Sequence, residues 1–431
     1  MADHVRDLIS YIDASPTPYH AVAEAVRRLE RAGFQAAASE EVWVLSPGER
    51  RFVTRGDGSL IAFCCGMESP AESGFRMIGA HTDSPNLRIK PNADVDAHGY
   101  RQLAVEPYGG LLLHTWLDRD LSIAGRVMLS DADPLRSILL DFSRPLVRIP
   151  NLAIHLNREL RKDGLKLNDQ RHSIPIAGLE GVPDWKEVVA AEIRAQGIAN
   201  VESQHILAFD LMLYDAQASG TAGLEGEFIL ASRLDNLASC HAALSALTAV
   251  EEPCDFTRVI ALYDHEEVGS RSASGAAGNL LPQTLERIVG AFKGGEPQGL
   301  ARAAARSMLL SVDMAHAIHP NYADRHEPGH QPVIGGGPVI KTHASQAYAT
   351  DATTAGVFSA LCREEGIEPQ QFVSRSDLPC GSTIGPISAA AVGVPTADVG
   401  NPMLSMHSCR EMAGTADVEP MIQVLSRFLG G

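Results

Sequence analysis

The chain has no apolar run near the length of a membrane span and no excess of positive charge. No apolar stretch approaches the ~20 residues that a spanning helix needs. Lys and Arg number 36 against 53 Asp and Glu, which gives a formal net charge of -17. Anionic membranes and nucleic acids are therefore excluded as predicted partners. Acidic substrates are not excluded, because a site can carry its own local positive charge.

Cysteines are few and follow no pairing pattern. The 7 cysteines are scattered along 431 residues without a Cys-x-x-Cys motif, which favours a reduced protein. The first residues, Met1 to Arg6, lack the basic and apolar regions of a secretory signal. These two observations predict a cytoplasmic protein.

The pattern of predicted elements changes twice along the chain. Residues 1–92 and 229–431 read as alternating helices and strands, whereas 93–228 shows hairpin-like strands such as Gly110–Leu113 and Gly125–Leu129. With 45% hydrophobic residues, the chain has enough apolar side chains for a large core. We therefore predict an α/β catalytic domain in two parts, interrupted by an inserted, largely β domain that serves assembly.

Two glutamates follow a predicted buried strand. The apolar run Thr257–Tyr263 leads into Asp264, His265, Glu266 and Glu267, at the end of a strand where open α/β sheets bind ligands. One glutamate could hold a metal while the other moves protons. A solvated acidic turn is the alternative.

A histidine and an aspartate follow another predicted strand. The strand Phe75–Ala80 runs directly into His81, with Asp83 two residues later. An imidazole in this position could bind a metal while the carboxylate fixes its tautomer.

Three further side chains complete a possible metal set. Asp235, before an apolar helix over 237–250, is either a helix cap or a bridging carboxylate. Asp313 ends the predicted strand that begins at Met308, and His407 follows a strand-like run over 395–400. Two histidines and these carboxylates suit two Zn²⁺ ions ~3.5–4 Å apart that share one carboxylate. Co²⁺ or Mn²⁺ are possible replacements.

Other histidines have less specific surroundings. His155 lies in an apolar run, Asn151–Asn157, and on these grounds is interpreted as structural. Five histidines between 316 and 343 occupy a proline-containing, irregular stretch. We interpret most of them as residues that orient backbone or substrate, rather than as a metal site.

Taken together, the chain resembles the M18 metalloaminopeptidases, the aspartyl aminopeptidases. The resemblance spans the chain from its first third to its end, and its motifs occur in family order. The matching stretches are Ala80–Pro85, Ser232–Asn236, Asp264–Ser270, Asp313–Tyr322, Gly337–Lys341, Ser376–Ile387 and Met406–Glu411.

The resemblance implies a fold and a role for each candidate residue. The fold would be a zinc-peptidase-like three-layer α/β/α catalytic domain with the inserted dimerisation domain. The implied roles are Asp235 as bridging ligand, His81 and Asp313 as ligands of one metal, Glu267 and His407 as ligands of the other, Glu266 as general base, Asp83 as the carboxylate behind His81, and His155 as a residue contributed by a neighbouring subunit.

The resemblance also implies substrates and assembly. The expected activity is removal of single N-terminal residues, preferably Asp or Glu, from peptides with a free N-terminus, in a tetrahedral dodecamer built from dimers. His343 and Ala347 stand where the family commonly has Asn and Arg, at the border of the substrate pocket. Lys341 is our candidate for pairing with an acidic substrate side chain.

Two other functions remain open at this point. A dinuclear-zinc deacylase would use the same metals on small amides without a free α-amine. A scaffold or cargo assembly would use only the shell of the fold, but it predicts a broken metal set or a lost Glu266, and the sequence has neither.

Overall fold

The computed structural model describes residues 2–130, 134–292 and 297–430. They form two compact units. The first comprises Met1–Asp83, Ser219–Met406 and Glu411–Gly431, and the second Ser84–Ala218 and His407–Arg410. The predicted domain boundaries at 92/93 and 228/229 each fall inside a strand, whereas the chain changes unit at 83/84 and 218/219. The role of the second unit in assembly stays a prediction.

A nine-stranded mixed sheet lies at the centre of the first unit. Its four middle strands run parallel to one another, and the strands that flank this group on either side are antiparallel to it. In order across the sheet, the strands are β1 (Gln35–Ala36), β2 (Arg50–Arg55), β3 (Ser59–Cys64), β13 (Thr257–Tyr263), β4 (Phe75–His81), β14 (Met308–Val312), β18 (Thr396–Gly400), β16 (Val339–Thr342) and β17 (Gln370–Val373).

Helices cover both faces of this sheet, because its middle strands are apolar on both sides. In β13, Ile260 and Leu262 pack into one core, while Val259 and Ala261 pack into the other. The helices on the first face are α1 (Ala2–Asp13), α2 (Pro18–Arg31), α7 (Leu234–Ala249), α10 (Ala352–Glu364) and α12 (Val418–Gly430), and those on the second are α8 (Leu280–Ala291), α9 (Gly299–Ala304) and α11 (Ile384–Val392), with the short α3 (Pro70–Ser73) beside α9. The predicted three-layer α/β/α class is confirmed.

A smaller five-stranded sheet also belongs to the first unit. It brings Glu411, at the start of its middle strand, close to the beginning of α7. Its strands, in order, are β11 (Gly220–Ala222), β12 (Phe228–Ala231), β20 (Glu411–Gly414), β19 (Pro402–Leu404) and β15 (Ala315–His316).

The second unit is a six-stranded antiparallel sheet with its own core, in which Val127 and Leu211 pack with Trp185. The predicted strand over Gly110–Leu113 is wrong: a 3-10 helix spans Leu113–Trp116, and Leu112 is 39% exposed, so the leucines are not a buried strand. In order, the strands are β8 (Arg136–Asp141), β7 (Leu121–Leu129), β10 (Ile206–Asp215), β5 (Asn86–Ala97), β6 (Tyr100–Tyr108) and β9 (Ile176–Leu179), and the helices are α4 (Leu160–Asp163), α5 (Asp169–His172) and α6 (Trp185–Ala195).

Among the helices of the described residues, none combines the length and the apolar character that crossing a bilayer requires.

Candidate metal centre

Three adjacent parallel strands deliver polar side chains to one edge of the large sheet. β4 ends at His81, which is in register with Tyr263 at the end of β13, and Glu266 and Glu267 follow β13 in a short 3-10 turn. On the other side of β4, β14 is followed directly by Asp313. Because parallel strands end at the same edge, the fold itself brings these residues together.

The imidazole of His81 lies at the centre of the cluster. Its Nε2 is 3.4 Å from Asp235 Oδ1, 3.5 Å from Asp313 Oδ1 and 4.0 Å from Glu266 Oε2. Its Nδ1 is 3.0 Å from the backbone oxygen of Asp83, and 3.4 Å from the Asp83 carboxylate. An Nδ1–H donated to that carbonyl leaves Nε2 bare and aimed at the carboxylates, as a metal ligand requires.

Asp83 also has a function that the sequence did not reveal. Its two carboxylate oxygens accept the backbone N–H groups of Glu266 and Glu267, each at 3.1 Å. Asp83 itself is fully buried. One carboxylate therefore fixes the turn that carries both glutamates.

Asp235 is not a helix cap. It lies within the first turn of α7 with non-helical backbone angles, and the N-cap position belongs to Arg233. The backbone N–H of Asp235 donates to the buried carboxylate of Glu411 at 3.1 Å. The contact joins residues 176 positions apart, so sequence reasoning missed the role of Glu411.

Lys341 contacts both the backbone and the side chain of Asp313. Its buried ammonium group donates to the backbone oxygens of Asp313 at 2.8 Å and Met314 at 3.3 Å, and lies 3.4 Å from Asp313 Oδ2. The predicted pairing of Lys341 with a substrate side chain stays a prediction.

Three of the five histidines between 316 and 343 accept backbone N–H groups. The ring of His326 accepts the N–H of His319, and His319 in turn accepts that of Asn321, both at 3.2 Å. His343 is half-buried, accepts the Ser345 N–H at Nδ1 and lies edge-on to Tyr348.

Two of the predicted site residues belong to the second unit. His407 lies in its segment 407–410, with Nδ1 3.1 Å from the backbone oxygen of Gly110. His155 lies in a 3-10 helix, Ile154–Leu156, and is exposed. Burial therefore does not support the interpretation of His155 as a structural histidine.

The cluster has the electrostatic character of a cation site. His81 forms one group of possible ligands with Asp235 and Asp313 and a second with Glu266 and Glu267, and within each group the ligand atoms lie within 4.8 Å of one another. Burial, together with the carboxylates of Asp313 and Glu267, raises the pKa of Glu266 to about 8, although His81 acts to lower it. Carboxylates crowded into a buried site are stabilised by a divalent cation. Imidazole nitrogen and carboxylate oxygen are donors that Zn²⁺ accepts, so the residues fit a zinc site.

Comparisons with known proteins agree with this chemistry. The profile of the family described as "Aminopeptidase I zinc metalloprotease (M18)" matches residues 11–429. The "Probable M18 family aminopeptidase 2" of Pseudomonas aeruginosa strain LESB58 is 47% identical over 429 residues, covering 98% of this chain and 97% of that protein.

Solved structures show the same fold. A cryo-EM structure of an Ape4 and Nbr1 complex contains a chain that matches with a TM-score of 0.95 and 39% identity, covering 100% of this chain and 86% of that one. The structure of the S. cerevisiae mApe1 dodecamer matches with a TM-score of 0.85 and 31% identity, covering 98% and 95%.

Proposed function

The chain belongs to the M18 family of zinc aminopeptidases, and we propose that it uses two zinc ions to remove single acidic residues from the N-termini of peptides. The observation that supports the metal site most directly is the convergence of Asp235, Glu266 and Asp313 on His81 Nε2. The proposed ligands are His81 and Asp313 for one ion, Glu267 and His407 for the other, and Asp235 for both. The assignment of His407 rests on the resemblance of Met406–Glu411 to the family motif. Co²⁺ or Mn²⁺ could replace zinc.

Glu266 is the proposed general base. When bound, the metal ions would supply Lewis-acid polarisation of the scissile carbonyl and would lower the pKa of an attacking water. Glu266 would take a proton from that water and return it to the leaving amine. Asp83 holds the backbone of Glu266 and thereby positions this carboxylate.

The proposed preference for acidic residues rests on two basic side chains. Lys341 would have to exchange one of its contacts with Asp313 or Met314 to bind a substrate carboxylate. His343 accepts a backbone N–H at Nδ1, so its neutral ring carries the hydrogen on Nε2 and could donate it.

A panel of matched peptides with N-terminal Asp, Glu, Leu or Lys tests the activity and the preference together. We expect the zinc-reconstituted protein to cleave the Asp and Glu peptides fastest, and the ratio of Asp to Leu cleavage to fall in Lys341→Ala. An unchanged ratio would remove Lys341 from the specificity proposal. Cleavage of N-acetylated peptides at the same rate would favour the deacylase alternative, because an aminopeptidase requires the free α-amine.

We further propose a homo-oligomer, a tetrahedral dodecamer built from dimers, in which His155 serves the active site of a neighbouring subunit and stabilises the oxyanion. Three apolar side chains beside His155 are exposed, namely Leu152 at 59%, Ile154 at 52% and Leu156 at 75%. A strip of this kind favours a protein partner, and the similar mApe1 forms a dodecamer. The cytoplasmic location also stays a prediction.

Complementation tests the role of His155 in trans. Subunits with Glu266→Gln keep His155, and subunits with His155→Ala keep Glu266, so each homo-oligomer lacks one group at every site. The two kinds of subunit are co-expressed with different tags and purified as mixed oligomers. The activity of the mixed oligomers should exceed the summed activity of the two parent homo-oligomers. No recovery in verified mixed oligomers would show that His155 acts within its own chain or not at all.

A further inference from the structure

The segment that carries His155 is exposed along its length. Every residue from Asn151 to Leu156 is exposed, and the hydrogen bond that shapes the His155 turn, from Leu156 N–H to the oxygen of Ala153 at 2.9 Å, is local. Burial therefore does not fix the position of the imidazole in this chain. Its placement depends on how the segment is attached to the second unit.

Asp118 makes that attachment with both carboxylate oxygens. Oδ1 accepts the backbone N–H of Asn151 at 3.0 Å, and Oδ2 accepts the side-chain amide of the same residue at 2.8 Å. The N–H of Asp118 donates to the oxygen of Ile149 at 2.9 Å, next to a parallel bridge between Leu117 and Ile149. A two-point contact on one residue fixes its orientation as well as its distance.

The charge of Asp118 suits this contact. Hydrogen bonds from the side chain and then the backbone of Asn151 lower the pKa of the carboxyl group. Asp118 is therefore ionised at neutral pH and accepts at both oxygens. Its backbone angle φ of 58° is one that aspartate adopts more readily than most residues.

We propose that Asp118 is a positioning residue that acts through Asn151 to set where His155 meets the neighbouring active site. The inference rests on the proposed role of His155 in trans. His155 is four residues beyond Asn151, so a change in the direction of the chain at Asn151 displaces the imidazole. A displacement of about 1 Å can cost up to about a hundredfold in rate when a group must meet a developing charge.

A neighbouring carboxylate provides a matched control. Asp120 lies two residues away and pairs with Arg148 at 2.6 Å, and both side chains are more than half exposed, at 64% and 51%. An exposed ion pair of this kind contributes little to stability. Asp120→Ala removes a carboxylate from the same loop without touching Asn151.

The experiment compares the single variants Asp118→Ala, Asp120→Ala and His155→Ala by steady-state kinetics on the N-terminal Asp peptide. It also includes the two double variants in which His155→Ala is combined with Asp118→Ala or with Asp120→Ala. We expect Asp118→Ala to lower kcat by about tenfold to hundredfold with little change in KM, and Asp120→Ala to stay within about twofold of the wild type. In the His155→Ala background, Asp118→Ala should cause no further loss, because it acts through His155. Full additivity of the two losses would overturn the proposal.

An exchange of the two side chains separates placement from a general folding defect. Asn151→Asp alone sets two carboxylates against each other and should lower kcat. Adding Asp118→Asn restores one acceptor for the backbone and one donor for Asp at 151, so activity should recover. Failure of the exchanged pair to recover would contradict the role of this contact.

The variants also separate this inference from the proposed function. If His155→Ala retains wild-type kcat, the role of His155 in trans is wrong and the inference falls with it. If His155→Ala is impaired while Asp118→Ala is not, only the positioning role of Asp118 is wrong.

Discussion

Asp83 and Asp118 hold the backbone in the same way but in opposite surroundings. Each uses two carboxylate oxygens to accept two N–H groups: Asp83 from Glu266 and Glu267, and Asp118 twice from Asn151. Asp83 is fully buried at the end of β4, whereas Asp118 is exposed on the second unit. The comparison suggests that one contact geometry serves two purposes. The buried aspartate fixes the turn that carries Glu266 and Glu267, and the exposed one holds Asn151 at the start of an exposed segment.

The largest expected effect concerns the residue that Asp83 holds. Glu266→Gln keeps the shape of the side chain but removes its proton-accepting charge, and we expect kcat to fall by ~10²–10⁴-fold. Zinc content, measured by elemental analysis, should stay at the wild-type level because the proposed ligands are intact. The exposed Glu40→Gln is the control and should leave kcat unchanged. A wild-type rate in Glu266→Gln would mean that Glu266 is not the base.

A second prediction contrasts the two aspartates in stability. Asp83→Ala leaves two N–H groups at the cluster without their acceptor, at a cost of about 1–3 kcal/mol each. In Asp118→Ala the N–H groups of Asn151 can donate to water instead, so the free energy of unfolding should fall by less than about 1 kcal/mol. Urea unfolding in the presence of a chelator measures both without the contribution of bound metal. Equal losses would show that burial does not separate these contacts.

The third prediction concerns Asp417, another carboxylate that accepts two backbone N–H groups, from Gly335 and Gly337, each at 2.8 Å. Burial raises its pKa to about 6, although both hydrogen bonds act to lower it. The folded state therefore binds this proton more tightly than the unfolded state does. Its contribution to stability is greatest below pH 3.8, falls by about 2–3 kcal/mol as the pH rises to about 6, and is level above that.

Unfolding free energies of the wild type and Asp417→Asn, measured between pH 4 and 8, check this sign. The difference between the two proteins should change with pH up to about 6 and then stay constant. A difference that does not vary across this range would show that the Asp417 carboxyl titrates normally. Asp118, whose pKa is lowered rather than raised, should give the opposite slope at lower pH.

The sequence predicted those parts of the site that follow from local pattern. An apolar strand followed at once by His81, by Glu266 and Glu267, or by Asp313 is visible within a few residues, and the structure has each of these strands. Several supporting contacts had no such signal, because they join residues far apart in the chain. Asp83 reaches residues 183 and 184 positions away, and Asp118 reaches one 33 positions away.

Two local patterns also misled. The leucines at 111–113 have the composition of a strand, but the turn into the 3-10 helix that follows leaves them partly exposed. The apolar run around His155 favours a structural role for this histidine, yet Ile154 and Leu156 on either side of it are exposed. Apolar composition alone does not distinguish a side chain that is buried within the fold from one that is exposed on its surface.

Because β4 lies between β13 and β14, the spacing of the strands sets the distances between the residues of the candidate metal site. Neighbouring strands in a sheet lie about 4.8 Å apart, a spacing set by backbone hydrogen bonds and not by side chains. With His81 on the middle strand, both sets of carboxylates start about one strand away from it on either side. The spacing of these residues therefore does not depend on the length of the segments beyond the strand ends. A unit as large as Ser84–Ala218 follows β4 after only two residues, and the register of β4 with both neighbours is retained.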